Sequence, residues 1–329
     1  MDQDTFEEIT FEPHNERSNT LEEVEEFKAF PLFHGHAVKE PQQSLGALDT
    51  LPLELIQSTL SLVDILTLQN FRKVNRRALK VVDSMPEYKA VATYAPNALR
   101  GIQSIEADRW STCESLYKAL CTAECETCGD FGGFLYLLTC KRVCFLCFTL
   151  NDIYRPLSFQ EATQKFGLRQ RTLKKMPHMK NLPGAYSSRR FPRPKRLSYV
   201  DCRSACEEGL ALSGSTRTVE QCVPPPTKQM METDFGETKH ERATGGTGKY
   251  CPERYMAIVQ APVLHPATQD LEFGVRCRGC RDSYHERSSN QYHRKYSRAS
   301  FEAHIAEFGL VEGFRHIRRW PEKDLFKDD

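Results

Sequence analysis

Four cysteines in two closely spaced pairs constrain the fold of this chain more than any other feature of its sequence. Cys125 and Cys128 form the first pair, Cys144 and Cys147 form the second, and fifteen residues lie between the pairs. Two thiolates at Cys-x-x-Cys spacing can converge on one ion, and four thiolates suit the tetrahedral coordination of structural zinc. The sequence therefore predicts a closed structural zinc site on these four cysteines, with no open position for catalysis.

The segment between the pairs is suited to bringing them together. The glycines at 132–133 can turn the chain, and residues 135–138 have the apolar pattern of a strand, which gives a zinc-ribbon arrangement. The alternative is four reduced cysteines buried in an apolar segment. Cys140, Cys113 and Cys121 lie outside the paired spacing, and we interpret them as small core residues.

A second, less complete metal pattern lies near the C-terminus. Cys277 and Cys280 form another Cys-x-x-Cys pair. His285, His293 and His304 lie downstream of it. His304 lies on a predicted helix and is the candidate third ligand, but the position one turn later is Phe308, which cannot bind metal. Either another histidine completes a zinc site here or there is no site, and the sequence leaves both open.

The cysteine count, taken with the N-terminal sequence, indicates a reducing compartment. The chain has 13 cysteines, and residues 1–26 are acidic and lack the apolar stretch of a secretory signal peptide. Clustered cysteines in a reducing compartment bind metal more often than they form disulfides. We therefore expect an intracellular protein, located in the cytoplasm, the nucleus or both.

Charge and hydropathy argue against a membrane span. The most apolar stretch, residues 131–150, has Lys141 and Arg142 at its middle. Each such charge costs about 2.5–3.5 kcal/mol on insertion into a bilayer. The formal net charge of the whole chain is +1, so no general field draws it to a membrane or to nucleic acid.

Composition divides the chain into five parts, and the predicted fold class is mainly α and multi-module. We expect three short helices at the N-terminal side, a small zinc-ribbon-like α+β module, and a small C-terminal element of β-strands and a helix with long loops. The predicted parts are a disordered acidic arm (1–43), a helical module (44–98), a helical and zinc-knuckle module with a basic tail (99–200), a flexible linker (201–250) and a C-terminal module of strands, cysteines and a helix (251–320).

The helical module has the pattern of a docking unit. Pro52 suits the first turn of a helix, and Asp64 is a suitable N-cap for the next one. Some fifty residues bury only a small core, so part of the apolar surface is expected to meet a partner. The candidate partner-binding residues are Leu48, Leu51, Pro52, Leu55, Ile56, Leu60, Leu62, Asp64 and Leu68.

This module resembles the F-box. Residues 48–56 read LDTLPLELI, and the F-box begins with Leu-Pro-x-Glu-Ile/Leu-Ile before its later helices. The cysteine module at 125–147, which reads CETCGDFGGFLYLLTCKRVCFLC, is similar to fungal F-box proteins in which a zinc module follows the box. The strand at Arg254–Ala257 and the pair at Cys277–Cys280 are similar to the end of that family. Phe308 departs from the pattern, because such tails often carry a cysteine there.

The resemblance implies a function as a substrate adaptor. It implies that the F-box docks on a Skp-type adaptor protein, and through it on a cullin-based ubiquitin ligase. It also implies that the zinc-ordered C-terminal part presents a protein target, whose identity the sequence does not contain. Zinc would be the structural cofactor.

Two other functions compete with this interpretation. The basic residues of 169–196, with Tyr186 and Phe191 among them, have the composition of a nucleic-acid-binding surface. Prolines interrupt any recognition helix there, and a basic run is usually a solvated face, so nucleic acid is not the expected partner. An enzyme is not expected either, because the sequence has no Walker loop, no Gly-x-Ser-x-Gly and no paired-histidine zinc helix. Any ligase activity would belong to the complex.

Overall fold

Helices dominate the part of the chain that the structure, a computed structural model, describes. The described residues are 2–11, 19–30, 44–227, 230, 248, 250–281, 290–313 and 315–317. The α-helices, numbered along the chain, are α1 (Gln3–Ile9), α2 (Glu25–Ala29), α3 (Leu53–Ser61), α4 (Ile65–Arg72), α5 (Arg76–Asp83), α6 (Pro86–Tyr94), α7 (Pro96–Ser104), α8 (Cys113–Leu120), α9 (Phe145–Leu150), α10 (Phe159–Phe166), α11 (Gln170–Leu173), α12 (Cys202–Ser213), α13 (Val219–Cys222) and α14 (Arg298–Phe308). Among the described residues, no helix has both the length and the apolar character needed to cross a membrane.

The strands are two or three residues long and form small antiparallel sheets. They are β1 (Thr10–Phe11), β2 (Phe134–Tyr136), β3 (Lys141–Val143), β4 (Leu157–Ser158), β5 (His178–Lys180), β6 (Gly184–Tyr186), β7 (Phe191–Arg193), β8 (Ser198–Val200), β9 (Ile258–Gln260), β10 (Val263–Leu264), β11 (Leu271–Glu272), β12 (Arg276–Cys277), β13 (Val311–Glu312) and β14 (Arg315–His316). The two three-stranded sheets have the orders β3-β2-β9 and β4-β8-β5.

Two helices of the N-terminal side, α4 and α5, begin at residues whose side chains cap them. The Asp64 carboxylate accepts a hydrogen bond from the Thr67 backbone N–H at 2.9 Å at the start of α4, as the sequence predicts. Asn75 caps α5 in the same way by accepting from the Ala78 N–H at 2.8 Å. Leu68 and Val82 are fully buried in the main core. Helical character over this region therefore agrees with the sequence analysis.

The sheet β3-β2-β9 joins two parts of the chain that the sequence analysis separates. Leu135 of β2 pairs with Arg142 of β3 on one side and with Val259 of β9 on the other. The segment at 251–264 therefore belongs to the same core as the cysteine segment, because its buried strand completes the sheet. The boundary predicted before residue 251 does not divide the core.

The buried side chain of Arg142 holds this sheet to its surroundings. Its guanidinium donates hydrogen bonds to five backbone carbonyls. The acceptors are Ala119, Leu120, Gly132, Ala261 and Pro262. Burial lowers the pKa of Arg142 to about 9. One side chain thus ties α8, the cysteine segment and the C-terminal part together.

The prediction of a disordered acidic arm over 1–43 is wrong for residues 2–11 and 19–30. Phe6 and Ile9 of α1 are buried, and so are Leu21 and Phe27 around α2. These apolar side chains pack against distant parts of the chain. Their burial offsets the loss of chain entropy, although the acidic composition predicts that this loss would dominate. Residues 12–18 and 31–43 lie outside the described residues.

The prediction of a flexible linker over 201–250 is wrong for its first part. The Asp201 carboxylate caps α12 by accepting from the Ser204 N–H at 2.8 Å, and it also accepts from the Tyr136 hydroxyl at 2.8 Å. Cys202 and Cys206 of this helix are buried. A capped helix with a buried face is stable here because it packs on α10. Most of 228–249 lies outside the described residues.

Candidate metal centres and docking surface

The first candidate metal centre is formed by Cys125, Cys128, Cys144 and Cys147. The hairpin of β2 and β3 brings the second pair back beside the first. Gly129 follows the first pair with a φ of 78°, and its N–H donates to the Cys125 carbonyl at 2.9 Å. Cys144 is the N-cap of α9, where its sulfur accepts from the Cys147 N–H at 3.4 Å. Each pair therefore lies in a tight turn that directs both sulfurs to one side.

The distances in this cluster fit a single metal ion. The four sulfur atoms lie within 4.8 Å of one another, and the Sγ atoms of Cys128 and Cys144 are 3.6 Å apart. Tetrahedral zinc with sulfur ligands places neighbouring sulfurs about 3.8 Å apart. Cys128 is exposed, while the other three cysteines are buried. The four cysteines that the sequence predicts as ligands are thus together and could hold a metal ion.

The thiols of this cluster already favour a negative charge at one position. Hydrogen bonds from Cys128, Cys144 and Cys147 hold the pKa of Cys125 far below its usual range. The hydrogen bonds with Cys125 raise the pKa of Cys144 and of Cys147. A thiolate at Cys125 is therefore stabilised by hydrogen bonds within the cluster, and a divalent cation could take over that stabilisation.

The second candidate centre contains Cys277, Cys280, His304 and His316, whose ligand atoms also lie within 4.8 Å of one another. The structure brings together the three residues that the sequence proposes, with His304 Nε2 at 3.5 Å from Cys280 Sγ. His316 is the fourth residue, and sequence analysis missed it. His293 stacks on Phe145 with ring centroids 4.4 Å apart and is not in the cluster. His285 lies outside the described residues.

The charges in the second cluster are also coupled. The hydrogen bond with Cys280, with smaller effects of both histidines, lowers the pKa of Cys277 to about 3 despite burial. Burial lowers the pKa of His316, but its hydrogen bonds with Cys277 and with the Gly309 carbonyl outweigh that effect and raise it. A thiolate at Cys277 beside the imidazole of His316 is a donor set that a metal cation can bind in place of protons.

The remaining cysteines near the first centre do not join it. Cys113 and Cys140 are buried, and Cys121 is partly buried. Burial raises the pKa of Cys113 to about 12, which keeps it a neutral thiol. Their placement agrees with the interpretation as small core residues.

The candidate partner-binding residues fall into two groups. Ile56, Leu60 and Leu68 are buried in the main core. Pro52 is exposed at the start of α3, and Asp64 is half-buried as a cap. The exposed leucines among the candidates are Leu48, Leu51, Leu55 and Leu62. Leu53 and Val74 are also exposed, and sequence analysis missed them because helical spacing alone does not locate the boundary of the apolar face.

Comparisons with known proteins identify one part of the chain. The family model of the F-box domain matches residues 48–90, which contain α3, α4 and α5. No curated protein matches the chain, and no solved structure matches it. The match therefore covers the segment that carries the exposed leucines and does not extend to either candidate metal centre.

Proposed function

We propose that this chain, with an F-box domain at residues 48–90, is the substrate adaptor of a cullin-based ubiquitin ligase. F-box domains typically bind the Skp-type adaptor of such complexes. The observation that carries the proposal is a set of four exposed leucines on this domain: Leu48, Leu51, Leu55 and Leu62. Four large apolar side chains left in solvent within fifteen residues suit a contact with another protein.

We propose that the exposed and the buried candidate docking residues have different roles. Leu48, Leu51, Pro52, Leu55 and Leu62 contact the Skp-type adaptor, because they are exposed. The buried candidates keep the helices in place and act on docking only through the fold. Asp64 caps α4. This division predicts different outcomes for substitutions in the two groups.

Zinc at Cys125, Cys128, Cys144 and Cys147 is the proposed structural cofactor of the remainder. The site would fasten the β2–β3 hairpin, on which β9 of the C-terminal part pairs. Four protein ligands fill a tetrahedral shell, so the ion would stabilise the fold and would not bind a substrate. We propose that this zinc-ordered part presents the protein target.

F-box proteins are generally non-catalytic, and we propose the same for this chain. Ubiquitin transfer would then take place on other subunits of the complex. The large number of buried cysteines supports a reducing location in the cytoplasm, the nucleus or both, which stays a prediction.

Nucleic-acid binding through 169–196 stays the alternative function. Several of its cations are used inside the fold: Arg193 pairs with Glu253 at 2.8 Å and Arg196 with Glu106 at 3.1 Å. The only helix within this range is α11, which spans four residues, too few for a recognition helix. These contacts favour the adaptor over the alternative. Binding to nucleic acid that falls steeply with salt would reverse that preference.

The test of the proposed function is capture of the adaptor protein. The full chain and a Skp-type adaptor are co-expressed and purified through a tag on the chain. The double substitution Leu51→Ala with Pro52→Ala should abolish capture while zinc content stays as in the wild type. Capture retained by the double variant would remove the assignment of this surface.

A further inference from the structure

The second cluster of cysteines and histidines lies where segment 2–11 meets the part of the chain that carries β12 and α14. We infer that Cys277, Cys280, His304 and His316 bind a second zinc ion, and that this centre fastens the N-terminal segment 2–11 to the C-terminal part. The inference does not depend on the proposed function, because neither the ion nor the segment belongs to the F-box domain.

The distances between the ligand atoms match a tetrahedral shell. His316 Nε2 lies 3.4 Å from Cys277 Sγ and 3.5 Å from Cys280 Sγ. His304 Nε2 lies 3.5 Å from Cys280 Sγ. Zinc bonds of about 2.3 Å to sulfur and about 2.0–2.1 Å to nitrogen place neighbouring sulfur and nitrogen ligands about 3.5 Å apart. Two thiolates and two imidazoles are also one of the standard donor sets of structural zinc.

The ring of His316 is held in the orientation that a ligand needs. Its Nδ1 forms a hydrogen bond with the Gly309 carbonyl at 2.8 Å, which leaves Nε2 directed at the two sulfurs. A second hydrogen bond of this kind fixes the tautomer of a metal-binding histidine. Gly309 is the residue that ends α14, so the contact also fixes the hairpin of β13 and β14 to the helix that carries His304.

Glycine between the two cysteines is required by this packing. A Cβ atom at Gly279 would lie 2.9 Å from His316 Cδ2 and 2.9 Å from Val311 Cγ2. Contacts this short do not occur in folded proteins, so a larger residue would push the histidine hairpin away from the cysteine turn. The spacing Cys-Arg-Gly-Cys therefore suits a turn against which His316 packs closely.

The N-terminal segment is built directly onto the cluster. Thr10 of β1 pairs with Cys277 of β12, one of the ligands. The Arg278 Nε–H, between the two cysteines in sequence, donates to the Thr10 carbonyl at 2.9 Å. Phe6 of α1 lies edge-on to Phe301 of α14 with ring centroids 5.5 Å apart. The order of segment 2–11 thus depends on the same strand and helix that carry the ligands.

The apolar core that the described residues form at this place is small. Separate from the main core, it contains six buried residues in the part of the chain that the structure describes, and two of them are cysteines of the cluster. The six are Phe6, Ile9, Cys277, Cys280, Tyr296 and Phe301. Small units with so little buried surface usually need a metal or a covalent link. A zinc ion bound to both cysteines would supply that link.

The test measures zinc content and backbone protection on the full chain, purified without chelator. Elemental analysis should find two zinc ions per wild-type chain and one in His316→Ala. Hydrogen exchange of residues 2–11 should become at least tenfold faster in His316→Ala. The control is His265→Ala, an exposed histidine outside both clusters, which should keep two ions and wild-type exchange.

A second variant separates ligand loss from general misfolding. His316→Cys offers another zinc ligand at the same position and should keep two ions with protection of 2–11 close to that of the wild type. Two ions in His316→Ala, or one ion in the wild type that Cys144→Ser removes, would overturn the inference. Wild-type protection of 2–11 in a His316→Ala chain with one ion would overturn the fastening role. Adaptor capture plays no part in any of these outcomes.

Discussion

Leu55 and Ile56 are neighbours in α3, yet Leu55 is 55% exposed and Ile56 is 4% exposed. A helix on a protein surface usually turns a polar face to water. Here both faces of the helix carry large apolar side chains, one in the core and one in solvent. This exposed face is the surface that we propose for docking.

Ile56→Ala should lower the free energy of unfolding by about 2–5 kcal/mol, because it opens a cavity in the main core. Leu62→Ala should change it by no more than about 0.5 kcal/mol, because Leu62 is exposed. Chemical denaturation of the zinc-loaded chain measures both. Equal effects of the two substitutions would contradict the division into core and docking residues.

Cys144→Ser should remove one zinc ion and loosen the β2–β3 hairpin, because the remaining three thiols cannot complete the shell. Elemental analysis measures the metal, and hydrogen exchange over 134–143 measures the hairpin. Cys121→Ser is the matched control, since Cys121 is a partly buried thiol outside both clusters. Full zinc content in Cys144→Ser would show that the site is not the one we describe.

Arg142→Lys should destabilise the chain by about 2–4 kcal/mol. Lysine has three donors and cannot satisfy the five carbonyls that the guanidinium reaches, and each buried acceptor left without a donor costs about 1–3 kcal/mol. The neighbouring substitution Lys141→Arg, at an exposed position, should have an effect within about 0.5 kcal/mol. If the denaturation curves of Arg142→Lys and of the wild type coincide, water replaces the missing hydrogen bonds and the prediction is wrong.

The free energy of unfolding should fall as the pH rises from about 5 to about 7, because the carboxyl group of Glu22 loses its proton in this range. Burial raises the pKa of Glu22 to about 7, against hydrogen bonds from the Gln260 backbone and from Asn97. The folded chain therefore binds a proton that the unfolded chain, with a pKa of 4.5, has already released in this range. Above the pKa that Glu22 has in the folded chain, its carboxyl is ionised in both the folded and the unfolded chain. The stabilisation that the bound proton gave is then lost.

Glu22→Gln should remove this pH dependence, because glutamine stays neutral and can accept the same hydrogen bonds. The measurement is the free energy of unfolding of Glu22→Gln and of the wild type at intervals between pH 5 and pH 8. Glu26→Gln, an exposed position on α2, serves as the control and should keep the wild-type profile. A wild-type slope that persists in Glu22→Gln would assign the dependence to another group.

Sequence reasoning was most effective where the chemistry is local. Cys125, Cys128, Cys144 and Cys147 were identified from spacing alone, because a Cys-x-x-Cys turn is formed by adjacent residues. His316 was missed because it reaches Cys280 only after a helix and a hairpin have packed together, and spacing along the chain does not encode that packing. Its location 36 residues beyond Cys280 gave no periodic signal.

The N-terminal segment was misjudged for a related reason. Its acidic composition predicts disorder when its own residues are the only partners available. Phe6 instead packs on Phe301, and Thr10 accepts from Arg278, 268 residues away. Likewise, the sequence analysis used Arg142 only as a charge that argues against a membrane span, whereas its five carbonyl partners come from three separate segments. Long-range pairing of this kind is decided by tertiary structure.

The central claim is that the exposed leucines of the F-box domain bind a Skp-type adaptor, and one matched pair of variants tests it most directly. Leu55→Asp places a charge on the docking surface, and Leu212→Asp places the same charge at a leucine of similar exposure on α12. Binding of the purified adaptor is measured by titration calorimetry on zinc-loaded chains of verified metal content. The account predicts that Leu212→Asp binds like the wild type and that Leu55→Asp binds at least a hundredfold more weakly. Equal affinities of Leu55→Asp and the wild type, or no binding by the wild type, would contradict it.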